Sequence, residues 1–287
     1  MTEIHNKEKL GVALNSVFAA IFLTASKIIV GVMTGSLGIL SEALHSALDL
    51  VAAAITYFSV RVSDKPADDD HHFGHGKIEN LSALIETVLL LVTCIWIVYE
   101  ATHRLTTGNW EIEVTYWSYI VVVSSIIIDV WRSRALMKAA KKFNSQALEA
   151  DALHFSTDIW SSAVVLLGLI CSNFGIYWAD SVAALGVAFI VIGVSYSLGK
   201  KAIVVLLDQA PAGMKDEIRE LAVSISEVKS ISQIRIRNAG ADYFVDITAQ
   251  ANYDMSFVQA HELSHKIEHA VQAKISRCDV TVHLEPR

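Results

Sequence analysis

Six apolar stretches punctuate these 287 residues, each of them at least about 20 residues long. A run of that length with few charges crosses a bilayer as a helix, because lipid offers no hydrogen bonds to an open backbone. The runs lie near 10–33, 37–62, 79–103, 114–136, 148–172 and 177–203 and predict a six-helix membrane bundle. The first has no Ala-x-Ala exit behind it and is expected to be a membrane helix, not a cleaved signal peptide. Charged residues make up 18% of the chain, below the roughly 25% of soluble domains. Asn15, Lys27, Glu86 and Asp129 nevertheless fall inside the runs. Polar groups at such depth face a bundle interior or cavity, not lipid.

The basic residues orient the bundle. Lys7 and Lys9 precede the first run, and Arg61, Lys65 and Lys77 lie in the 61–77 connection. Arg132, Arg134, Lys138, Lys141 and Lys142 fall in the 132–147 connection, and Lys200 and Lys201 follow the sixth run. The alternate connections are nearly bare: 33–37 and 172–177 have none, and 104–113 has Arg104. The positive-inside rule then predicts a multi-pass protein of a cytoplasmic (inner) membrane with both termini in the cytoplasm. A formal net charge of -7 argues against a nucleic-acid partner. Cys94, Cys171 and Cys278 are scattered, so neither a disulfide framework nor a thiolate metal site is expected.

Beyond Lys201 the texture changes. Residues 1–208 form the membrane domain, and 209–287 are densely charged, with no spanning run. A helix is expected at 213–225, strands at 231–238, 243–251 and 278–285, and an amphipathic helix at 256–275. Asn238-Ala239-Gly240 supplies the turn between the first two strands. The order αββαβ predicts a small α+β layer, one sheet face covered by helices, of a size that dimerisation would help to stabilise.

Within the bundle, one pattern occurs twice. Residues 43–49 read Ala-Leu-His-Ser-Ala-Leu-Asp, and 152–158 read Ala-Leu-His-Phe-Ser-Thr-Asp. Each copy puts an imidazole and a carboxylate on one helix face at i, i+4: His45 with Asp49, and His154 with Asp158. A single copy is satisfied by an interhelical hydrogen bond. Two copies facing each other would gather two nitrogens and two carboxylates, a donor set for a tetrahedral divalent metal with zinc foremost. The same groups are satisfied by protons, so the site could hold either a metal ion or protons.

Two further clusters carry metal-type residues. Asp68, His71 and His75, in the glycine-punctuated stretch Asp68–Gly76, have spacings that let one carboxylate and two imidazoles converge; the plain alternative is a solvated acidic loop. His261, His265 and His269 recur every four residues on the predicted 256–275 helix, and His283 stands near Glu285 on the last strand. A site of His261, His283 and Glu285 forms if that helix packs on that strand; otherwise these are surface histidines. No glycine-rich phosphate loop and no credible nucleophile triad occur, so no nucleotide partner and no enzyme are expected, and an ATP-driven pump is disfavoured.

Six spans, paired His-x-x-x-Asp faces in the second and fifth, a His-rich loop after the second, and an αββαβ tail together resemble the cation diffusion facilitator family. Gly35-Ser36, Phe73-Gly74-His75-Gly76-Lys77 and Tyr177-Trp178-Ala179-Asp180 echo it locally. The resemblance implies a homodimer joined through a ferredoxin-like, metallochaperone-like cytoplasmic domain. It implies efflux of a divalent cation against protons, with His45, Asp49, His154 and Asp158 as the transport site. The His-Asp-His-Asp set resembles the zinc-selective type, and Lys77 resembles a lysine paired with an acid after helix six, here Asp208. Family members with a two-metal cytoplasmic site carry histidines where Ser232 and Thr248 stand here. That leaves His261, His283 and Glu285 for one ion, or a site lost or rebuilt with His265. The alternatives are the same transporter with Fe²⁺, Co²⁺, Cd²⁺ or Mn²⁺ as main cargo, and a membrane-anchored metal sensor.

Overall fold

The computed structural model describes residues 2–34, 37–108, 116–173 and 178–287. Gly35, Ser36, Tyr177 and residues 109–113 of the 104–113 connection lie outside it. Six long helices occupy the expected runs: α1 (Thr2–Thr34), α2 (Leu37–Ser63), α3 (Lys77–Thr107), α4 (Tyr116–Phe143), α5 (Gln146–Asn173) and α6 (Ala179–Leu206). Among the described residues, four of them, α1, α2, α3 and α6, are long and apolar enough to span on length and composition alone. In α4 and α5 four ionisable residues lie inside: Asp129 and Arg132, and Asp151 and His154, are all buried.

Small residues let α1, α2, α4 and α5 approach closely. Ala13, Ala20, Ala53, Ala139, Ala140, Ala147 and Ala152 are buried in one cluster with Val60, Leu136, Leu148 and Phe155. A second cluster joins α3, α5 and α6 through Leu90, Cys94, Val164, Val187, Ala188 and Leu198.

Two expectations about the basic residues need correction. The 132–147 connection is not a loop. Helix α4 runs on to Phe143, and only Asn144 and Ser145 separate it from α5. Asn144 takes the left-handed conformation (φ 51°) that ends such a helix, and the Ser145 N–H donates to the Ala140 carbonyl at 3.0 Å. Arg132 therefore sits in the bundle, about 1% exposed along its side chain, where it cannot count as a loop charge. Lys9 is likewise not in a free arm, because α1 starts at Thr2 and turns its ammonium inward onto Asp64 (3.0 Å) and Glu79.

The rest of the chain forms α7 (Met214–Val223), β1 (Ser230–Ala239), β2 (Asp242–Ala251), α8 (Phe257–Lys274) and β3 (Cys278–Pro286). The sheet order is β1-β2-β3, antiparallel between β1 and β2 and parallel between β2 and β3, with α8 as the crossover. Alternation along the strands places Ile234, Ile236, Val245, Ile247 and Val280 in a core with Ile218 of α7 and Leu263, Ile267 and Val271 of α8. Ser256 caps α8 in a reciprocal box with Gln259.

The chain divides into two compact units. Pro66–Lys77 and Ile203–Arg287 form one unit, and the remainder of the chain forms the other. Residues 66–77 pack on the β1–β2 hairpin. The guanidinium carbon of Arg237 lies 3.4 Å from the centroid of the Phe73 ring, which meets Phe244 edge-on at 5.1 Å. A Cβ at Gly76 would fall 2.2 Å from the Ala239 carbonyl oxygen, so only glycine fits this backbone approach.

Candidate metal centre

Helices α2 and α5 bring the two His-x-x-x-Asp faces together. The His154 Nε2 stands 3.3 Å from Asp49 Oδ1 and 3.6 Å from Asp158 Oδ2. The His45 Nε2 stands 3.7 Å from Asp158 Oδ1 and 3.9 Å from Asp49 Oδ1. Each carboxylate therefore sits between two imidazoles, one from its own helix and one from the other. The donors of His45, Asp49 and Asp158 all lie within 4.8 Å of one another, and His154 joins through both carboxylates. The carboxylate side chains are 13% and 12% exposed, and Asp158 Oδ2 makes no hydrogen bond. A buried carboxylate oxygen left in that condition suits a cation.

Beside these groups lies a cavity of about 30 Å³, room for a water-sized ligand, lined by Lys27, Glu42, His45, Asp49, Asp129 and Asp158 among others. Lys27 donates to Glu42 (3.2 Å) and Ser46 (2.8 Å), so it is held inside and does not reach for the interface. Asp129 pairs with Arg132 at 3.3 Å. The Arg132 guanidinium also stacks on Phe155 at 3.5 Å and donates to Ser16 Oγ at 3.1 Å, and that hydroxyl donates to Asp151 at 3.3 Å. Glu86 accepts from Thr56 and Ser82.

Sequence reading missed Asp151, Glu42 and the inward turn of Arg132. One signal was available: Asp129 and Arg132 stand at i, i+3, and Asp151 precedes His154 by the same step, so on a helix each shares a face with its neighbour.

The loop cluster also assembles. Asp68 Oδ1 accepts from the backbone N–H groups of His71 (2.7 Å) and Asp70 (3.2 Å), and from His71 Nδ1 at 3.1 Å. His75 Nε2 lies 3.4 Å from Asp68 Oδ2, and the two imidazole rings are 4.3 Å apart. The three donor sets fall within 4.8 Å of one another. The His71 backbone N–H is the main influence holding the Asp68 carboxyl below its ordinary pKa, which keeps it a ligand-ready anion. Lys77 Nζ reaches Asp208 at 2.8 Å.

The third expected set does not close. Among the described residues, His261, His283 and Glu285 form no group of three donors within 4.8 Å. His283 lies opposite Thr248 and Glu285 opposite Gln250 along the sheet, while Ser232 donates to the Thr248 carbonyl at 3.2 Å. His261 turns instead to His265 on its own helix.

Residues 13–207 match the cation efflux transmembrane domain, and residues 211–287 match the cytoplasmic domain of cation efflux proteins. The chain is 28% identical over 275 residues to the cation-efflux pump FieF of Cronobacter sakazakii, covering 96% of this chain and 91% of that one. It is also 28% identical to the FieF of Shewanella oneidensis, covering 94% and 92%, and 29% identical to that of Yersinia pestis, covering 96% and 91%. A solved structure of MamM-CTD 215-293 is 28% identical with a TM-score of 0.25, covering 26% of this chain and 95% of that one.

Proposed function

Because the chain belongs to the cation efflux (cation diffusion facilitator) family, a family of membrane transporters and not of enzymes, we propose that it exports a divalent cation, zinc foremost, in exchange for protons. The observation that carries this reading is the alternation of imidazole and carboxylate from two helices around one point. A carboxylate oxygen only accepts, so an Nε2 in hydrogen-bond contact with it carries a proton. A metal bound through the same Nε2 would take that proton's place. Metal and proton thus compete for the same atoms, which is the condition for exchange. Two nitrogens with two oxygens favour Zn²⁺ over harder ions such as Mn²⁺.

In this reading His45, Asp49, His154 and Asp158 bind the ion from the cytoplasmic side. Rocking of the bundle then exposes them outward, where protonation releases it. Asp68, His71 and His75 form a capture site on the cytoplasmic loop. Both termini are cytoplasmic, the membrane is the inner one, and two copies associate through the α+β domain.

The test uses the purified protein in sealed proteoliposomes under a pH gradient. Zinc-driven proton flux is expected in the wild type and is lost in Asp49→Ala and Asp158→Ala. Wild-type flux in either variant would refute the site. Competition by Fe²⁺, Co²⁺, Cd²⁺ and Mn²⁺ in the same vesicles ranks the cargo.

A further inference from the structure

Helix α8 turns one face to the core through Leu263, Ile267 and Val271 and leaves His261 and His265 on the other, exposed. Their Nε2 atoms converge at 3.2 Å, with ring centroids 4.4 Å apart. The opposite nitrogen of His265, Nδ1, lies 2.9 Å from Glu268 Oε2. An ionised carboxylate only accepts, so Nδ1 carries the proton and Nε2 of the neutral ring keeps its lone pair. This is how metal-binding imidazoles are commonly set: an outer carboxylate fixes the tautomer and aims the other nitrogen at the ion. The i, i+4 spacing needs no chain movement to place both nitrogens on one ion, since the Ser256–Gln259 box and the buried face already hold the helix.

We propose that His261 and His265 form a two-imidazole site for a borderline divalent cation such as Zn²⁺, Cu²⁺ or Ni²⁺, with Glu268 as its positioning residue. The ion sits on the helix surface and not on β3. Two protein nitrogens leave the remaining positions to water, so the site exchanges freely. The strand positions offer little competition, because Ser232 and Thr248 present hydroxyls and Ser232 is already bonded to the Thr248 backbone. The α8 pair is separate from the membrane site, and its test reads no transport.

The probe is Cu²⁺–iminodiacetate, whose chelator occupies most of the copper sphere and leaves two positions for neighbouring exposed imidazoles. It is added to the full chain in detergent, in a His71→Ala, His269→Ala background that removes the neighbouring pairs His71–His75 and His265–His269. Pulsed EPR counts the coordinated imidazoles. Two are expected, displaced only by a large excess of Zn²⁺, reduced to at most one in His261→Ala and in His265→Ala, and unchanged in His283→Ala. Glu268→Ala should weaken binding by about tenfold, the low end of the outer-ligand effect. Persistence of the two-imidazole signal in His265→Ala, its loss in His283→Ala, or no binding by the parent protein overturns the site. His265→Asn, on an exposed position that tolerates change, repeats the arm should His265→Ala prove misfolded.

Discussion

His154 of α5 stands closer to Asp49 of α2 (3.3 Å) than to Asp158 of its own helix (3.6 Å). The stronger contact is the one that crosses between helices. An Asp49→Asn variant would keep the shape but remove the charge that both imidazoles face. We expect its zinc affinity in detergent, read by isothermal titration, to fall by at least about 100-fold, beyond what outer-ligand changes typically cost. Near-wild-type affinity would mean that Asp49 is not a ligand.

Arg132 is the cation of a buried set containing Asp129, Ser16 and Asp151, with Phe155 against its flat face. Removing one partner of such a set strands the others without water. Arg132→Met should therefore destabilise the protein by about 3–5 kcal/mol, seen as a lower unfolding temperature in detergent. Arg132→Lys should recover only part of this, since an ammonium lacks the planar fork and the stacking surface.

How far the sequence reveals this arrangement depends on the range of each interaction. The membrane helices and the αββαβ order are legible because apolar runs and two-residue alternation act locally, as along Ile234, Ile236, Val245 and Ile247. The His-x-x-x-Asp pairs are legible for the same reason, since both members lie on one turn-to-turn face. Lys9 is not: its partner Glu79 is 70 residues away, and nothing near Lys9 distinguishes it from a loop charge. Arg132 looked like the start of a basic connection because a buried charge and an exposed one have the same letter. His261 could not be assigned between β3 and His265 from spacing, because both choices satisfy the helix period and only the rotamer decides.

Asp68 provides a pH prediction. Its folded-state pKa lies below the ordinary carboxylate value, chiefly through the His71 N–H. A lowered pKa means that the anion's contribution to the loop is complete above the unfolded value of about 3.9 and is lost as pH falls through the folded one. Protection of the His71 amide against hydrogen exchange, after allowance for intrinsic rates, should hold above that pH and decline below it. Asp68→Asn should lower it at neutral pH. Equal protection in both proteins would remove Asp68 from the loop's support.

The Gly76 contact with the β1–β2 hairpin makes a steric prediction. Gly76→Ala would put a methyl group 2.2 Å from the Ala239 carbonyl oxygen, which is rigid backbone and cannot swing aside. The loop must lift, taking Phe73 from Arg237. Faster proteolysis within 66–77 is expected, with weaker metal binding by His71 and His75. Unchanged proteolysis would show that the loop relaxes without undocking.

Asp208 combines two effects of opposite sign. It follows α6 in the left-handed conformation (φ 58°), with the Gln209 N–H closing onto the Val204 carbonyl and its own N–H onto Val205. Glycine is favoured there by about 1 kcal/mol over a residue with a Cβ. Its pair with Lys77 is 38% and 45% exposed, so it contributes at most about 1 kcal/mol. The two nearly cancel, and Asp208→Gly should leave the unfolding temperature within a few degrees of wild type. Asp208→Ala loses the pair without gaining the conformational freedom and should be the less stable of the two. If Asp208→Gly is as stable as wild type but transports poorly in proteoliposomes, the carboxylate is retained for its charge on Lys77 and not for the fold. Equal transport would make it a helix stop alone.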